Sequence, residues 1–181
     1  MRVIVSALMT IAGLIFAAQP APAAETVFGH GDAQLCFEGA RFGGGGKGQD
    51  ACDRALESAT LTKTDRAATH VNRGIIYNRT GRHDDAVIDF NAALEIDPAL
   101  GEAYLNRGNS RFFQKRMEEA RADYSRAIEL KSRDLHAAYF NRGLVHEVLG
   151  DPAAARADFE MALRVKPDFP AARARLDEPG E

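Results

Sequence analysis

The sequence predicts an all-α protein that consists mostly of one repeated unit, and two observations carry this prediction. The composition is that of a globular chain, since 45% of the 181 residues are apolar and 27% are charged, close to the average for soluble domains. From residue 67 onward the chain repeats itself every 34 or 35 residues. A period of this length indicates units that stack on one another. A single domain is expected, because about 150 residues per domain is usual.

The charge and the polar residues exclude several classes of function. Lys and Arg total 23 against 26 for Asp and Glu, a net charge of −3, so the chain lacks the basic field that holds phosphate backbones. The five histidines show no pairing at metal-ligand spacing. No nucleophile signature such as Gly-x-Ser-x-Gly is present. We therefore predict no nucleic-acid binding, no enzyme activity, no metal site and no cofactor.

The first segment has the features of a signal peptide. An apolar run of 16 residues occupies 3–18, which is shorter than the roughly 20 residues of a membrane-spanning helix. Ala21 and Ala23 follow at the small-residue positions that a signal peptidase accepts. We predict a signal peptide over 1–23, with cleavage after Ala24 as the alternative and an uncleaved anchor as the competing interpretation. The mature chain is then exported, to the periplasm of a Gram-negative bacterium or to the outside, and keeps no membrane span.

The next segment, 24–66, contains both cysteines. Cys36 and Cys52 lie 16 positions apart, and closing a loop of that size is worth about 3 kcal/mol in the chain-entropy model. Because export brings the chain into an oxidising compartment, a structural disulfide is expected. A redox-active pair normally has Cys-x-x-Cys spacing, which is absent here. Two free thiols are the remaining alternative.

A glycine-rich stretch, 43–48, lies between the two cysteines. A phosphate-binding loop requires Ser or Thr after its lysine, but Gly48 follows Lys47. We therefore predict a flexible connector between two short helices, at about 32–41 and 49–59.

The repeated units share a fixed internal spacing. Each contains Asn-Arg-Gly, then alanine twelve residues after the glycine, an aromatic residue four later and a second alanine three later. Small residues let two helices approach closely, and the aromatic side chain fills the remaining gap. The glycines are Gly74, Gly108 and Gly143, and the aromatic residues are Phe90, Tyr124 and Phe159.

These residues resemble the tetratricopeptide repeat (TPR) family, whose 34-residue unit folds as two antiparallel helices, A and B. The resemblance covers three units, 67–100, 101–134 and 136–169, followed by a capping helix and tail over 170–181. It implies a right-handed superhelical solenoid of antiparallel helix hairpins. His70 departs from the aromatic residue that the family has near the start of the unit. One extra residue, between 131 and 135, should lengthen a loop between units.

An arginine and an aspartate also recur in each unit. The arginine takes a position where the family usually has leucine, and the aspartate follows 16 residues later. Such a pair could form a bidentate contact between helices A and B of one hairpin. The alternative is a row of arginines that binds a ligand. The pairs are Arg73 with Asp89, Arg107 with Asp123, and Arg142 with Asp158.

The resemblance implies that partners bind on the concave face, through residues of the A helices. One asparagine per unit would grip the backbone of an extended peptide, because an amide both donates and accepts. Apolar side chains between these asparagines would take a ligand's apolar groups. The alternative is that the asparagines have no such role and that Phe112 or Phe113 packs on a neighbouring helix. The candidate residues are Asn72, Ile75, Leu105, Asn106, Asn109, Phe112, Phe113, Phe140, Asn141 and Leu144.

Some family members clamp acidic C-termini with basic residues, but Val71, Ala137 and Asn141 stand at those positions here. The expected function is that of an adaptor or scaffold that binds other envelope proteins or extended peptides. The competing hypothesis is a structural protein that forms homo-oligomers through the ends of the solenoid. An enzyme or small-ligand binder would need a pocket that no motif indicates.

Overall fold

The computed structural model describes residues 31–43 and 45–177, and all regular secondary structure in this part of the chain is α-helical. The predicted signal peptide, 1–23, and the last residues of the tail lie outside the described ranges. None of the helices described is long and apolar enough to span a membrane. The helices are α1 (Gly31–Phe42), α2 (Gly45–Glu57), α3 (Lys63–Arg79), α4 (His83–Ile96), α5 (Gly101–Phe113), α6 (Met117–Glu129), α7 (Leu135–Val148), α8 (Pro152–Val165) and α9 (Pro170–Asp177).

Consecutive helices form four antiparallel hairpins, and α9 packs on α8 after the last of them. Three-residue turns close the second, third and fourth hairpins, and Gly81 and Gly150 adopt the left-handed φ values of 76° and 79° that these turns require. The loop between α4 and α5 is 97–100, whereas the loop between α6 and α7 is 130–134 and holds the extra residue. The predicted all-α stack of hairpins is confirmed.

Each of the three predicted units is held together by a glycine on its first helix and an aromatic ring on its second. A Cβ added at Gly74 would lie 2.7 Å from the Phe90 ring, and one at Gly108 would lie 2.6 Å from the Tyr124 ring. Both rings are fully buried. The glycine is therefore required by the close approach of the ring, and the same contact recurs between Gly143 and Phe159.

The N-terminal hairpin corrects one expectation. Within the predicted connector, 43–48, residues 45–48 are helical, because α2 begins at Gly45 and includes Gly46, Lys47 and Gly48. A Cβ added at Gly39 of α1 would lie 2.6 Å from the Gly48 Cα atom, and a Cβ at Gly48 would lie 3.3 Å from Ile76 of α3. These glycines serve helix packing, since they let the backbones of α1 and α2 meet and leave room for the Ile76 side chain of α3.

This first hairpin has the same register as the three that follow. Cys36 on α1 and Cys52 on α2 are joined as a disulfide in the structure and are fully buried. Their separation of 16 residues equals that between Gly74 and Phe90. Ala55 follows Cys52 at the spacing at which Ala93 follows Phe90. The disulfide therefore takes the place of the glycine–aromatic contact, and α1–α2 is a fourth unit of the stack.

Candidate binding face and the residues that hold it

The recurring arginines and aspartates meet across each hairpin. Arg107 donates from Nε and Nη2 to the two carboxylate oxygens of Asp123, at 3.0 and 2.7 Å. The same two-bond contact joins Arg73 to Asp89 and Arg142 to Asp158. The carboxylates are almost completely buried, so each is neutralised where water cannot solvate it.

Each arginine also reaches back to the preceding hairpin, a contact that the sequence analysis missed. Its Nη1 atom donates to a polar side chain that lies one residue after the aromatic position, or after Cys52 in the first unit. The contacts are Arg73 to Asp53 at 2.6 Å, Arg107 to Asn91 at 2.6 Å and Arg142 to Ser125 at 3.1 Å. We call these three arginines, with their partners, the arginine staples. With three directed contacts per guanidinium, the staples fix one hairpin on the next and leave little donor capacity for a ligand.

A histidine takes part in the first staple. Burial alone would raise the pKa of Asp89, but hydrogen bonds from Arg73 and His70 outweigh it and lower the pKa below its usual value. The same bond to Asp89 raises the pKa of Arg73. The Nδ1 atom of His70 lies 2.9 Å from Asp89 Oδ1. In this unit the histidine, and its contact with Asp89, replace the family's aromatic residue.

The candidate asparagines are buried, so they do not present their amides to solvent as a peptide-gripping row would. Asn106 is only 3% exposed, Asn72 is fully buried, and Asn109 and Asn141 are buried as well. The reason is that the A helices pack closely on one another and that the N-terminal hairpin covers α3. A side chain at one of these positions therefore contacts a neighbouring helix instead of solvent.

Three of these asparagines take part in hydrogen bonds between units. Asn141 donates through Nδ2 to Asn109 Oδ1 at 2.9 Å, and the Tyr124 hydroxyl donates to the same oxygen at 3.0 Å. Asn106 accepts at its backbone oxygen from Asn78 Nδ2 at 3.2 Å, while its own amide donates within its helix to Glu102. These hydrogen bonds link α3 to α5 and α5 to α7. The asparagines therefore contribute to the stability of the stack.

Asn72 differs from the others because neither atom of its buried amide has a hydrogen-bonding partner. An unsatisfied buried amide costs about 1–3 kcal/mol. We expect Asn72→Leu, which keeps the branching at Cγ and removes both unsatisfied polar atoms, to raise the free energy of unfolding by roughly that amount. Denaturant titration would measure the change.

The matched control for this prediction is Asn109→Leu. It leaves the Tyr124 hydroxyl and the Asn141 amide without their shared acceptor, so it should destabilise the protein by about 1–3 kcal/mol. A loss of stability in Asn72→Leu as large as that in the control would contradict the prediction.

The apolar candidates are also largely covered. Ile75, Leu105 and Leu144 are buried. Phe140 packs on Phe169, with ring centroids 5.1 Å apart, in the cluster that also contains Ala172 of α9. The two remaining candidates, Phe112 and Phe113, lie at the end of α5 and keep contact with solvent. Only this end of the predicted face is open.

The open part of this face is a row at the C-terminal ends of the four A helices. The row contains one side chain per hairpin, each the last or next-to-last residue of its helix. All four are exposed, including Phe113 at 38% and Val148 at 58%. Its first member could not be predicted from the repeat, because α1–α2 lacks the Asn-Arg-Gly sequence of the other units. We call these residues the rim row: Arg41, Arg79, Phe113 and Val148.

No group of three or more His, Cys, Asp or Glu side chains that could hold a metal ion occurs in the described ranges. One cavity of about 510 Å³ lies on the outer side of the first hairpin, and its lining includes Leu35, Phe42, Lys47 and Asp50. It is remote in sequence from the three predicted units and contains none of the candidate residues.

Comparison with known proteins agrees with this architecture. Models of the tetratricopeptide repeat match residues 67–100, 101–134 and 136–169, the three ranges that the sequence predicted. The human Superkiller complex protein 3 is 31% identical over 115 residues, which is 60% of this chain and 7% of that protein. The chain therefore spans only a small part of this curated relative.

Solved structures show the same fold. The crystal structure of MamA superposes with a TM-score of 0.68 at 23% identity, over 83% of this chain and 82% of that one. The second TPR domain of human RPAP3, solved in complex with the HSP70 peptide SGPTIEEVD, gives a TM-score of 0.60 at 25% identity and covers 65% of this chain and 97% of that one. Since the family models match more than half of the residues, and three of the four stacked hairpins carry the match, the chain belongs to the tetratricopeptide repeat family.

Proposed function

We propose that the protein is an exported adaptor without enzymatic activity, which binds extended segments of other envelope proteins. The observation that carries this proposal is the rigid row of A-helix ends, which the arginine staples hold at a fixed spacing. The second TPR domain of RPAP3, which has the same fold, was solved with a bound peptide. A preorganised surface binds a flexible segment at lower entropic cost. Because the candidate asparagines are buried, binding would use the exposed rim rather than the middle of the concave face.

Photo-crosslinking in the cell tests this function. A photoreactive phenylalanine analogue at position 113 should give adducts with other envelope proteins. The same analogue at Ile88, which is 65% exposed on the B helix α4, is the control and should give none. Absence of adducts at position 113, or equal adducts at both positions, would contradict the proposal.

The periplasm is the proposed compartment, because of the apolar leader and its small-residue cleavage site. Mass spectrometry of the protein from an envelope fraction should find an N-terminus at Ala24 or Glu25. A chain that retains the leader would contradict export with cleavage.

The disulfide between Cys36 and Cys52 belongs to this proposal, since an oxidising compartment is where such a bond persists. Without reductant, we expect the double variant Cys36→Ala/Cys52→Ala to have about 3 kcal/mol less unfolding free energy than the wild type. With reductant, which opens the disulfide of the wild type, the two proteins should be equally stable. Denaturant titration with and without reductant measures it. If both cysteines of the unfolded, unreduced protein react with a thiol reagent, the bond is absent.

Self-association is the second candidate function, and the exposed outer face of the first hairpin favours it. Leu35 and Phe42 are exposed there beside the 510 Å³ cavity. In this case the molar mass from light scattering should exceed that of the monomer and should fall to it in Phe42→Ser. A monomer across the micromolar range would exclude this candidate.

A further inference from the structure

The rim row begins with two arginines that lack acidic partners. In the described part of the chain neither Arg41 nor Arg79 forms an ion pair; Arg79 Nη2 lies 3.5 Å from the Arg41 backbone oxygen, and the Arg41 guanidinium stacks on Phe37 and Phe42. Burial lowers the pKa of Arg79, and no carboxylate opposes this effect. A guanidinium that has lost part of its water without gaining an anion is positioned to bind one.

The nearest acids along the chain bond to side chains other than these two arginines. Glu38 accepts from Gln34 at 3.0 Å, Asp84 accepts from Gln114 at 2.6 Å, and Asp85 accepts from Arg82 at 2.7 Å. Both guanidinium groups are therefore available to a ligand's carboxylates at the N-terminal end of the row.

The second half of the row is apolar. Phe113 stacks on His83 with ring centroids 4.7 Å apart and packs edge-on against Phe112, so its exposed ring is held in place. His83 in turn lies 3.1 Å from Asn78 Oδ1 through Nδ1, next to Arg79 in sequence. Val148 continues the apolar surface on the next hairpin and is followed by exposed Leu149.

We propose that the rim row binds an extended peptide segment whose one end carries carboxylates, which face Arg41 and Arg79, and whose other end carries apolar side chains, which face Phe113 and Val148. This inference rests on the proposed adaptor function and names the chemistry of its partner. Adjacent helices pack about 8–10 Å apart, so four hairpins span roughly 25–30 Å. An extended chain rises about 3.3 Å per residue, so a segment of about eight or nine residues covers the row.

The row differs from a uniform binding surface because its charge changes along its length. An acidic segment without apolar residues would satisfy only the arginines, and an apolar one would leave them unpaired. Recognition therefore requires both chemistries in one order, which gives the site a direction.

Fluorescence polarisation with synthetic peptides tests this assignment. The probes are a labelled ten-residue peptide with three glutamates at its N-terminal end and Leu-Phe-Leu at its C-terminal end, its reversed sequence, and a neutral version with glutamines. One of the two acidic orders should bind, and it should bind at least tenfold more tightly than both the other order and the neutral version. Arg79→Gln should weaken this binding about tenfold, and so should Val148→Ser.

The matched control is Arg133→Gln, because Arg133 is exposed in the loop at the opposite edge of the hairpins. It should leave the affinity unchanged. Melting curves of all variants identify any that lose binding because they unfold. Val148→Ser should keep the melting temperature of the wild type, because Val148 is more exposed than Phe113.

Three results would overturn the assignment: equal binding of both orders and of the neutral peptide, no binding by any probe, or unchanged affinity in both Arg79→Gln and Val148→Ser. Failure here is distinguishable from failure of the adaptor function. If crosslinked envelope proteins at position 113 persist in Arg79→Gln and Val148→Ser, the adaptor function stands and the rim-row chemistry is wrong.

Discussion

Phe90→Ala should lower the free energy of unfolding by about 3–5 kcal/mol, because the Phe90 ring fills the contact that closes the second hairpin. The ring is fully buried and meets Gly74, which has no side chain to move into the space. The hole that the substitution leaves would remain largely unfilled, since helix packing fixes the backbone on both sides. Thermal and denaturant unfolding both measure the loss.

Ile88→Ala is the control for this prediction, since Ile88 lies two residues earlier on the same helix with its side chain 65% exposed. It should change the stability by no more than about 0.5 kcal/mol. Equal losses in the two variants would mean that the burial of the Phe90 ring does not determine the result, because alanine is the better helix former at both positions.

Asp158→Leu should also cost about 3–5 kcal/mol, because it leaves the Arg142 guanidinium half-buried without its carboxylate. In the double variant Arg142→Leu/Asp158→Leu no charge is stranded, so the combined loss should be smaller than the sum of the single losses by about 1–3 kcal/mol. This pair suits a double-mutant cycle better than Arg107 with Asp123, since Asp123 also accepts from Arg111 at 2.7 Å, whereas the second neighbour of Asp158, His146 Nε2, lies 3.8 Å away, beyond hydrogen-bonding distance.

The cycle is measured by denaturant titration of the wild type, both single variants and the double variant. Ser125→Ala serves as the control, because it removes only the acceptor that Arg142 reaches on the preceding hairpin and should cost about 1 kcal/mol. A coupling near zero would return the arginines to the alternative role of a ligand-binding row.

Local spacing along the chain, through the family resemblance that it carries, was sufficient to predict the hairpins. The interval of 16 residues between Gly74 and Phe90 is set by the lengths of the helices and their turn. Residues at this interval therefore face each other across one hairpin, and the packing contact can be read from the spacing. The same interval between Arg73 and Asp89 suggested a contact that the structure contains. Both features depend on one hairpin alone.

Features that depend on two hairpins could not be predicted in the same way. The contact of Arg107 with Asn91 and the burial of Asn106 both depend on how closely successive units pack, and no spacing within a unit encodes that distance. The asparagines looked suited to a ligand because the family binds on that face, whereas here the neighbouring helix occupies it.

The fourth unit was missed for a chemical reason. Cys36 and Cys52 stand where the other units have glycine and an aromatic residue, so a search for those residue types passes over them. The series Gly48, Cys52 and Ala55 nevertheless has the spacing of Ala86, Phe90 and Ala93. The glycines at 45–48 suggested flexibility because their packing role appears only when α1 and α2 are seen together.

The arginine staples have a consequence for the order in which the molecule opens. In a linear array, cooperativity comes from the coupling between neighbouring units. In the first staple the acceptor on the preceding hairpin is the charged Asp53, whereas in the later staples the acceptors are the neutral Asn91 and Ser125. The first unit is also cross-linked within itself. Stability therefore rises along the array towards the first unit. Amide hydrogen exchange should begin in α9 and α8 and reach α1 and α2 last, so that local unfolding proceeds towards the N-terminal end.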